Sequence, residues 1–107
     1  FISIPVKGGI YKLDIAELLY VESHGHILNY YTAAETISSR AKLADVVSVL
    51  EPYGFFRINK GCIVNMKHVD TVLDGNCFLG ETVLPIARNR KKLFMDKLTE
   101  YIDEAMK

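Results

Sequence analysis

The sequence contains no tryptophan and only two cysteines, Cys62 and Cys77, among 107 residues. Two thiols do not make the framework of a disulfide-stapled domain. Neither lies in a Cys-x-x-Cys pair, so the usual signatures of zinc ribbons and dithiol redox centres are missing. What remains is one half-buried thiol and one strand thiol in a reducing compartment. No stretch approaches the roughly 18–20 consecutive apolar residues that cross a bilayer, and no basic-then-apolar segment opens the chain. A cytoplasmic protein with no membrane partner is therefore expected. Net charge is absent too, with 13 Lys and Arg against 13 Asp and Glu. That argues against a protein that coats nucleic acid by bulk charge, because such binding comes from phosphate neutralisation. It leaves room for a locally basic face. Arg88, Arg90, Lys91 and Lys92 fall within five positions with no acid among them, while Asp96, Glu100, Asp103 and Glu104 gather near the end.

Half of the residues are apolar (50%) and 24% are charged, the make-up of one soluble domain with one modest core. The pattern alternates from the start. Ile2, Ile4 and Val6 point one way and Ser3, Pro5 and Lys7 the other, the period of a half-buried strand. Pro5 confines that strand to an edge or an end. Gly8-Gly9 is a tight-turn signal, and Ile10 to Leu13 returns as the second strand of a hairpin. Asp14 caps a single helical turn ending at Glu17. Strands follow at Leu18 to Glu22, Ile27 to Thr32 and Thr36 to Ser39, with connections too short for crossover helices. The pairing is then an antiparallel meander.

From Lys42 the period changes. Leu43, Val46, Val47 and Leu50 form the stripe of an amphipathic helix of about three turns, which Pro52 and Gly54 stop. Phe55-Phe56-Arg57-Ile58-Asn59-Lys60-Gly61-Cys62-Ile63-Val64-Asn65 comes next. In it a polar triplet, Asn59-Lys60-Gly61, stands between an aromatic pair and a second apolar run. Strands at Val69 to Leu73, Cys77 to Leu79 and Val83 to Ile86 are separated by the turns Asp74-Gly75-Asn76 and Gly80-Glu81-Thr82. A last helix runs from Asn89 or Arg90 to Ala105, with Phe94, Leu98, Tyr101, Ile102 and Ala105 as its apolar stripe. The expected class is mostly β, with short antiparallel sheets, a small inserted helix and a C-terminal helix.

Catalysis finds little support. Cys62 with His68 or with His24 would pair a nucleophile with a base, but no flanking motif or oxyanion-hole signal accompanies either pair. A metal site drawn from His24, His26, His68 and a cysteine lacks zinc spacing, and Gly25 makes the His-x-His segment a turn. Gly8-Gly9 lacks the lysine and helix of a phosphate-binding loop. No cofactor is implied, and the chain does not read as an enzyme.

Three polar loops remain. Ser23-His24-Gly25-His26 offers donors to phosphates or base edges, or is a solvated turn. Asn59-Lys60-Gly61 combines a residue type suited to adenine, a cation, and a glycine that allows close backbone approach; the alternative is an ordinary surface loop. Ala87-Arg88-Asn89-Arg90-Lys91-Lys92 sets cations at a helix start, where backbone N–H groups favour an anion but basic side chains oppose the helix dipole. Arg57 is expected to pair with an acid such as Glu51. Asn65 is expected to bond nearby backbone at a strand end.

Taken in order, Leu19-Tyr20-Val21-Glu22 with its His-bearing turn, the short helix, the Phe55-to-Asn65 block and Leu84-Pro85-Ile86-Ala87-Arg88-Asn89-Arg90-Lys91 resemble the LytTR family. These are DNA-binding output domains of bacterial response regulators, and the resemblance runs from about Ile4 to Tyr101. It implies an elongated stack of short antiparallel sheets. It also implies that loops at one end enter two successive major grooves of double-stranded DNA and bend the duplex, for transcription regulation in a two-component system. Matched residue by residue, the implied reading positions are His24 or His26, Asn59 and Lys60, and Arg88, with Arg90 and Lys91 on phosphates. Gly61 departs from the family, where serine is frequent. Zero net charge is low for the family and implies a modest salt dependence. The chain starts at Phe1, already in a strand, so residues 1–107 are expected to be the output part of a longer regulator with a receiver or other signalling domain upstream. A second copy on a direct-repeat site is a further expected partner. The competing reading is a protein-interaction or dimerisation module without DNA binding. It predicts scattered loops and an exposed apolar patch, where DNA binding predicts that the three loops converge.

Overall fold

The period-two pattern decides which side chains turn inward, and the computed structural model, which describes residues 1–107, shows what they pack against. Ten strands form: β1 (Ile2–Val6), β2 (Gly9–Leu13), β3 (Leu18–His24), β4 (Ile27–Thr32), β5 (Thr36–Arg40), β6 (Phe55–Asn59), β7 (Cys62–Asn65), β8 (Thr71–Leu73), β9 (Asn76–Leu79) and β10 (Thr82–Pro85). The helices are α1 (Leu43–Leu50), inserted between β5 and β6, and α2 (Lys91–Ala105) at the end. All pairing is antiparallel, in a β1-β2 hairpin, a five-stranded sheet of order β5-β4-β3-β7-β6 and a three-stranded sheet of order β10-β9-β8.

The five-stranded sheet is the middle of the stack, because its strands carry apolar residues on both faces. All four residues of β7 are buried. Ile63 joins one core with Phe55, Leu18, Val21 and Leu28, closed by the hairpin through Ile4 and Leu13 and by α1 through Leu43, Val46 and Leu50. Cys62 and Val64 point the other way, into a second core with Phe56, Ile58, Leu79, Leu84, Ile86 and Phe94 of α2. A register shift between Leu18 and Tyr20 lets Leu18 and Val21, three positions apart, share a face. Leu19 and Tyr20 then lean on the second core, and the Tyr20 and Tyr31 rings stack at 4.3 Å. The result is an elongated body of 40 × 31 × 26 Å.

The few buried polar groups tie the layers together. Ser39 Oγ donates to the Pro5 carbonyl at 2.6 Å, joining β5 to the hairpin. Asn65 Nδ2 donates to the Leu18 carbonyl at 2.9 Å, and its Oδ1 accepts from Lys67 N at 3.1 Å. The second of these bonds is the expected local one. The first joins the end of β7 to the start of neighbouring β3. No buried side-chain polar atom lacks a partner, as close packing requires.

Several expectations shift. The strand expected from Val69 begins at Thr71, because Asn65 caps a 3-10 turn over Met66–His68. The last helix is preceded by a 3-10 turn at Arg88–Arg90. Its apolar stripe packs only near the start: Phe94 is fully buried and Leu98 and Tyr101 are half-buried, but Ile102 is 48% exposed and Ala105 faces solvent. Both thiols are buried, and burial pushes each up to about 12. No helix is long and apolar enough to cross a membrane.

Two outcomes follow from this packing. Phe94 is fully buried against Phe56 at 5.1 Å, so Phe94→Ala lowers unfolding free energy in urea by about 3–5 kcal/mol. Cys62 and Cys77 stay protonated through neutral pH, and the thiolate is the reactive form. Neither is alkylated by iodoacetamide in the folded protein at pH 8, and both react once it is unfolded.

Candidate nucleic-acid interface

The three polar loops come together at one end of the stack. The first turn is a two-residue reversal, Gly25-His26, between β3 and β4, with Gly25 at φ +63, where glycine fits without strain. His24 is therefore the last residue of β3, and His26 lies in the turn itself. The second is the Lys60-Gly61 reversal between β6 and β7. Ser23 N donates to the Gly61 carbonyl at 2.8 Å, which joins the first loop to the second. The third is the junction from Pro85 to Lys91. It is held by Ala87 N donating to the Ile58 carbonyl at 2.8 Å and by Asn59 Nδ2 donating to the Pro85 carbonyl at 2.7 Å. A shallow groove between the loops is lined by Ser23 and His24, by Asn59 and Gly61, and by Pro85 and Ala87.

Asn59 does two jobs. While Nδ2 reaches Pro85, Oδ1 accepts from Gly61 N at 2.8 Å and closes the turn from inside. One N–H and one lone pair of its amide stay free. Arg57 adds a second brace, with Nε donating to the Asn59 carbonyl at 3.3 Å and Nη2 to the Lys60 carbonyl. The expected Arg57–Glu51 pair does not form, because the guanidinium turns along its own hairpin. Arg90 continues the chain of contacts: its Nε donates to the Arg57 carbonyl at 3.0 Å, and its guanidinium sits 4.7 Å from the centre of the Phe56 ring. This takes one cation away from the start of α2, where it would oppose the helix dipole.

Charge at this end is uneven. His24 Nε2 donates to Glu22 Oε1 at 3.0 Å, so an acid lies beside the first loop. Period-two alternation puts residues 22 and 24 on one face, so this pairing has a sequence signal. Lys60, Arg88, Asn89 and Lys91 are exposed and take part in no ion pair. His68 is elsewhere, donating from Nε2 to the Ala16 carbonyl at 2.7 Å, so the three histidines do not share a site. A Cβ at Gly61 would lie 3.8 Å from both Asn59 Oδ1 and the Ser23 carbonyl, an ordinary contact. The turn has room for the serine frequent in the family.

Of the residues expected from sequence, His24, Asn59 and Gly61 line one groove, and His26 and Lys60 line an adjoining one with Arg57. Arg88 follows directly on Ala87 of the first groove. Arg90 is half-buried and committed to Arg57. Sequence reasoning assigned Arg57 the wrong partner and overlooked Glu22. Arg57 bonds carbonyls, which no side-chain pattern announces.

Fold and loops together define a stacked antiparallel β domain that gathers polar and basic turns at one end. The family model of the LytTr DNA-binding domain matches residues 8–99. The chain belongs to this family of DNA-binding domains, which is not an enzyme family. Among solved structures, one described as the LytTr DNA-binding domain of a putative methyl-accepting/DNA response regulator from Bacillus cereus superposes with a TM-score of 0.76. It covers 91% of this chain and 94% of its own length at 14% identity, so the likeness is one of fold. No curated protein sequence matches significantly.

The brace has a measurable weight. Asn59→Ala removes two hydrogen bonds worth about 0.5–1.5 kcal/mol each. Urea unfolding should show a loss of about 1–3 kcal/mol, and amide exchange at Gly61 should speed up while β4 is unaffected.

Proposed function

We propose that this domain binds double-stranded DNA sequence-specifically to regulate transcription, with its loop end set into successive major grooves. The observation that carries this reading is the joining of three polar loops at one end through the Ser23–Gly61, Asn59–Pro85 and Ala87–Ile58 bonds. An interaction module without DNA binding has no need of that convergence. Exposed Met95 and Ile102, two turns apart on one flank of α2, offer a second copy a surface away from the loops, compatible with two domains on a direct repeat. A signalling domain in a longer protein fits the same reading.

The roles divide by what each side chain has free. Arg88 is exposed and unpaired, and its planar fork suits the O6 and N7 of guanine. Lys60, at the tip of its hairpin, reaches a base edge or a phosphate. His26, in the turn, and His24, with Nδ1 left once Nε2 bonds Glu22, are the first loop's contacts. Asn59 acts mainly as the brace that aims Lys60, with one amide N–H left over. Lys91 contacts phosphate at the helix start. Arg90 acts first through Arg57 and Phe56, with its outer nitrogens left for phosphate. Phosphate contacts position the domain, and base contacts specify the sequence.

Arg88→Ala is expected to abolish specific binding in a gel shift, a loss of about 1–3 kcal/mol of discrimination, with an unchanged circular dichroism spectrum. Full retained specificity contradicts the assignment. For Lys60→Ala, weaker binding is expected, and a phosphate role lowers the slope of log K against log salt by about one unit. An unchanged slope with weaker binding assigns Lys60 to base reading.

A further inference from the structure

A formal net charge of zero hides a strong segregation of charge. Two grooves adjoin at the hairpin side of the loop end. One is lined by Lys7 and Arg40, and the other by Lys42, Arg57, Lys60 and His26. They meet where β4 begins and β5 ends: Ile27 and Arg40 are paired in register, Ile27 lines the first groove and His26 the second, and the chain passes from Arg40 in one to Lys42 in the other. Five of the chain's 13 Lys and Arg line these grooves, and none of its 13 Asp and Glu does. Neither these five cations nor His26 takes part in an ion pair. The lysines that are paired with carboxylates, Lys92, Lys97 and Lys107, all lie on or just past α2. Lys7, Arg40 and Lys42 make no side-chain hydrogen bond either, and all three are exposed.

We infer that the joined grooves form a phosphate track, which carries the DNA backbone away from the three reading loops, past Lys60 and Lys42 to Arg40 and Lys7. This rests on the DNA-binding reading above and extends it to residues outside the reading loops. Unpaired cations on both walls of a groove with no acid repel one another, and a polyanion relieves that repulsion. A duplex carries its charge as a continuous line, so a line of cations at the edge of the reading end matches it where a single anion would not. Because the contacts are to backbone alone, the track adds affinity to every sequence equally and carries no base information. It also predicts a stronger salt dependence than zero net charge implies: no acid lines the two grooves, and the salt response follows the local cations.

The test is Arg40→Ala with Lys42→Ala in one protein, measured by fluorescence anisotropy against two duplexes. One duplex is selected from a random pool by the wild-type domain, and the other has arbitrary sequence and the same length. The double variant should bind both duplexes more weakly by the same factor. It neutralises two fewer phosphates, at about 0.9 slope units each, so wild-type affinity should fall about tenfold more than the variant's between about 50 and 200 mM salt. The charge-preserving pair Arg40→Lys with Lys42→Arg should restore the wild-type slope, which a merely structural role would not require. If the wild type binds and the double variant matches it in affinity and slope, the track is wrong and the DNA reading stands. If the double variant fails to bind only the selected duplex, Arg40 and Lys42 read bases and the track is likewise wrong. If the wild type binds neither duplex, both proposals fall together.

Discussion

One carboxamide holds the loop end in shape. Asn59 closes its own turn through Gly61 N and reaches across to the Pro85 carbonyl, so two loops far apart in sequence share a single anchor. Ser23 N on the Gly61 carbonyl brings in the third. Beneath them Phe56, Ile58, Cys62 and Val64 are buried in the second core, so the anchor rests on packed strands. Loops fixed in this way give up their conformational freedom on folding, before a ligand arrives, which lowers the cost of binding. The Arg57 and Arg90 contacts extend the brace to the start of α2. The side chains left free at this end are then the exposed ones, chiefly Lys60, Arg88 and Lys91.

The stack of sheets explains how so small a chain supports that end. The five-stranded sheet has a core on each face, one closed by the hairpin and α1 and the other by the three-stranded sheet and α2. Two cores on one sheet leave its turns projecting at the end of the body. Charge follows the same division. Carboxylates on α2 pair with Lys92 and Lys97, and unpaired cations gather at the loop end. A chain with no net charge can thereby present a basic face.

Much of this was legible in the sequence because the hydrophobic periods are clean. Ile2 to Lys7, Thr36 to Ser39 and the Leu43-to-Leu50 stripe each become the element their spacing demands, within one or two residues. The ordered blocks around Tyr20, Phe55 and Pro85 are enough to identify the family whose model matches residues 8–99. What stayed hidden was contact made through backbone. Arg57 was expected to seek a carboxylate and instead bonds two carbonyls of its own hairpin. The replacement of a strand start at Val69 by a 3-10 turn follows from the Asn65 cap, whose other bond, to Leu18, reaches 47 residues back. Ile102 and Ala105 continue the α2 stripe in sequence, yet they face solvent because the core is already closed at Phe94 and Leu98. The grooves beside the loops also needed the fold, since Lys7 is brought beside Arg40 and Lys42 by the packing of the β1-β2 hairpin on β5.

The most direct check of the central claim is an amide chemical-shift titration of the domain with a selected duplex. The loop-end reading predicts that shifts concentrate at Ser23 to His26, Asn59 to Gly61 and Ala87 to Lys91, with smaller shifts at Arg40 and Lys42. Shifts confined to the exposed flank of α2 around Met95 and Ile102, with those loops unmoved, would contradict it.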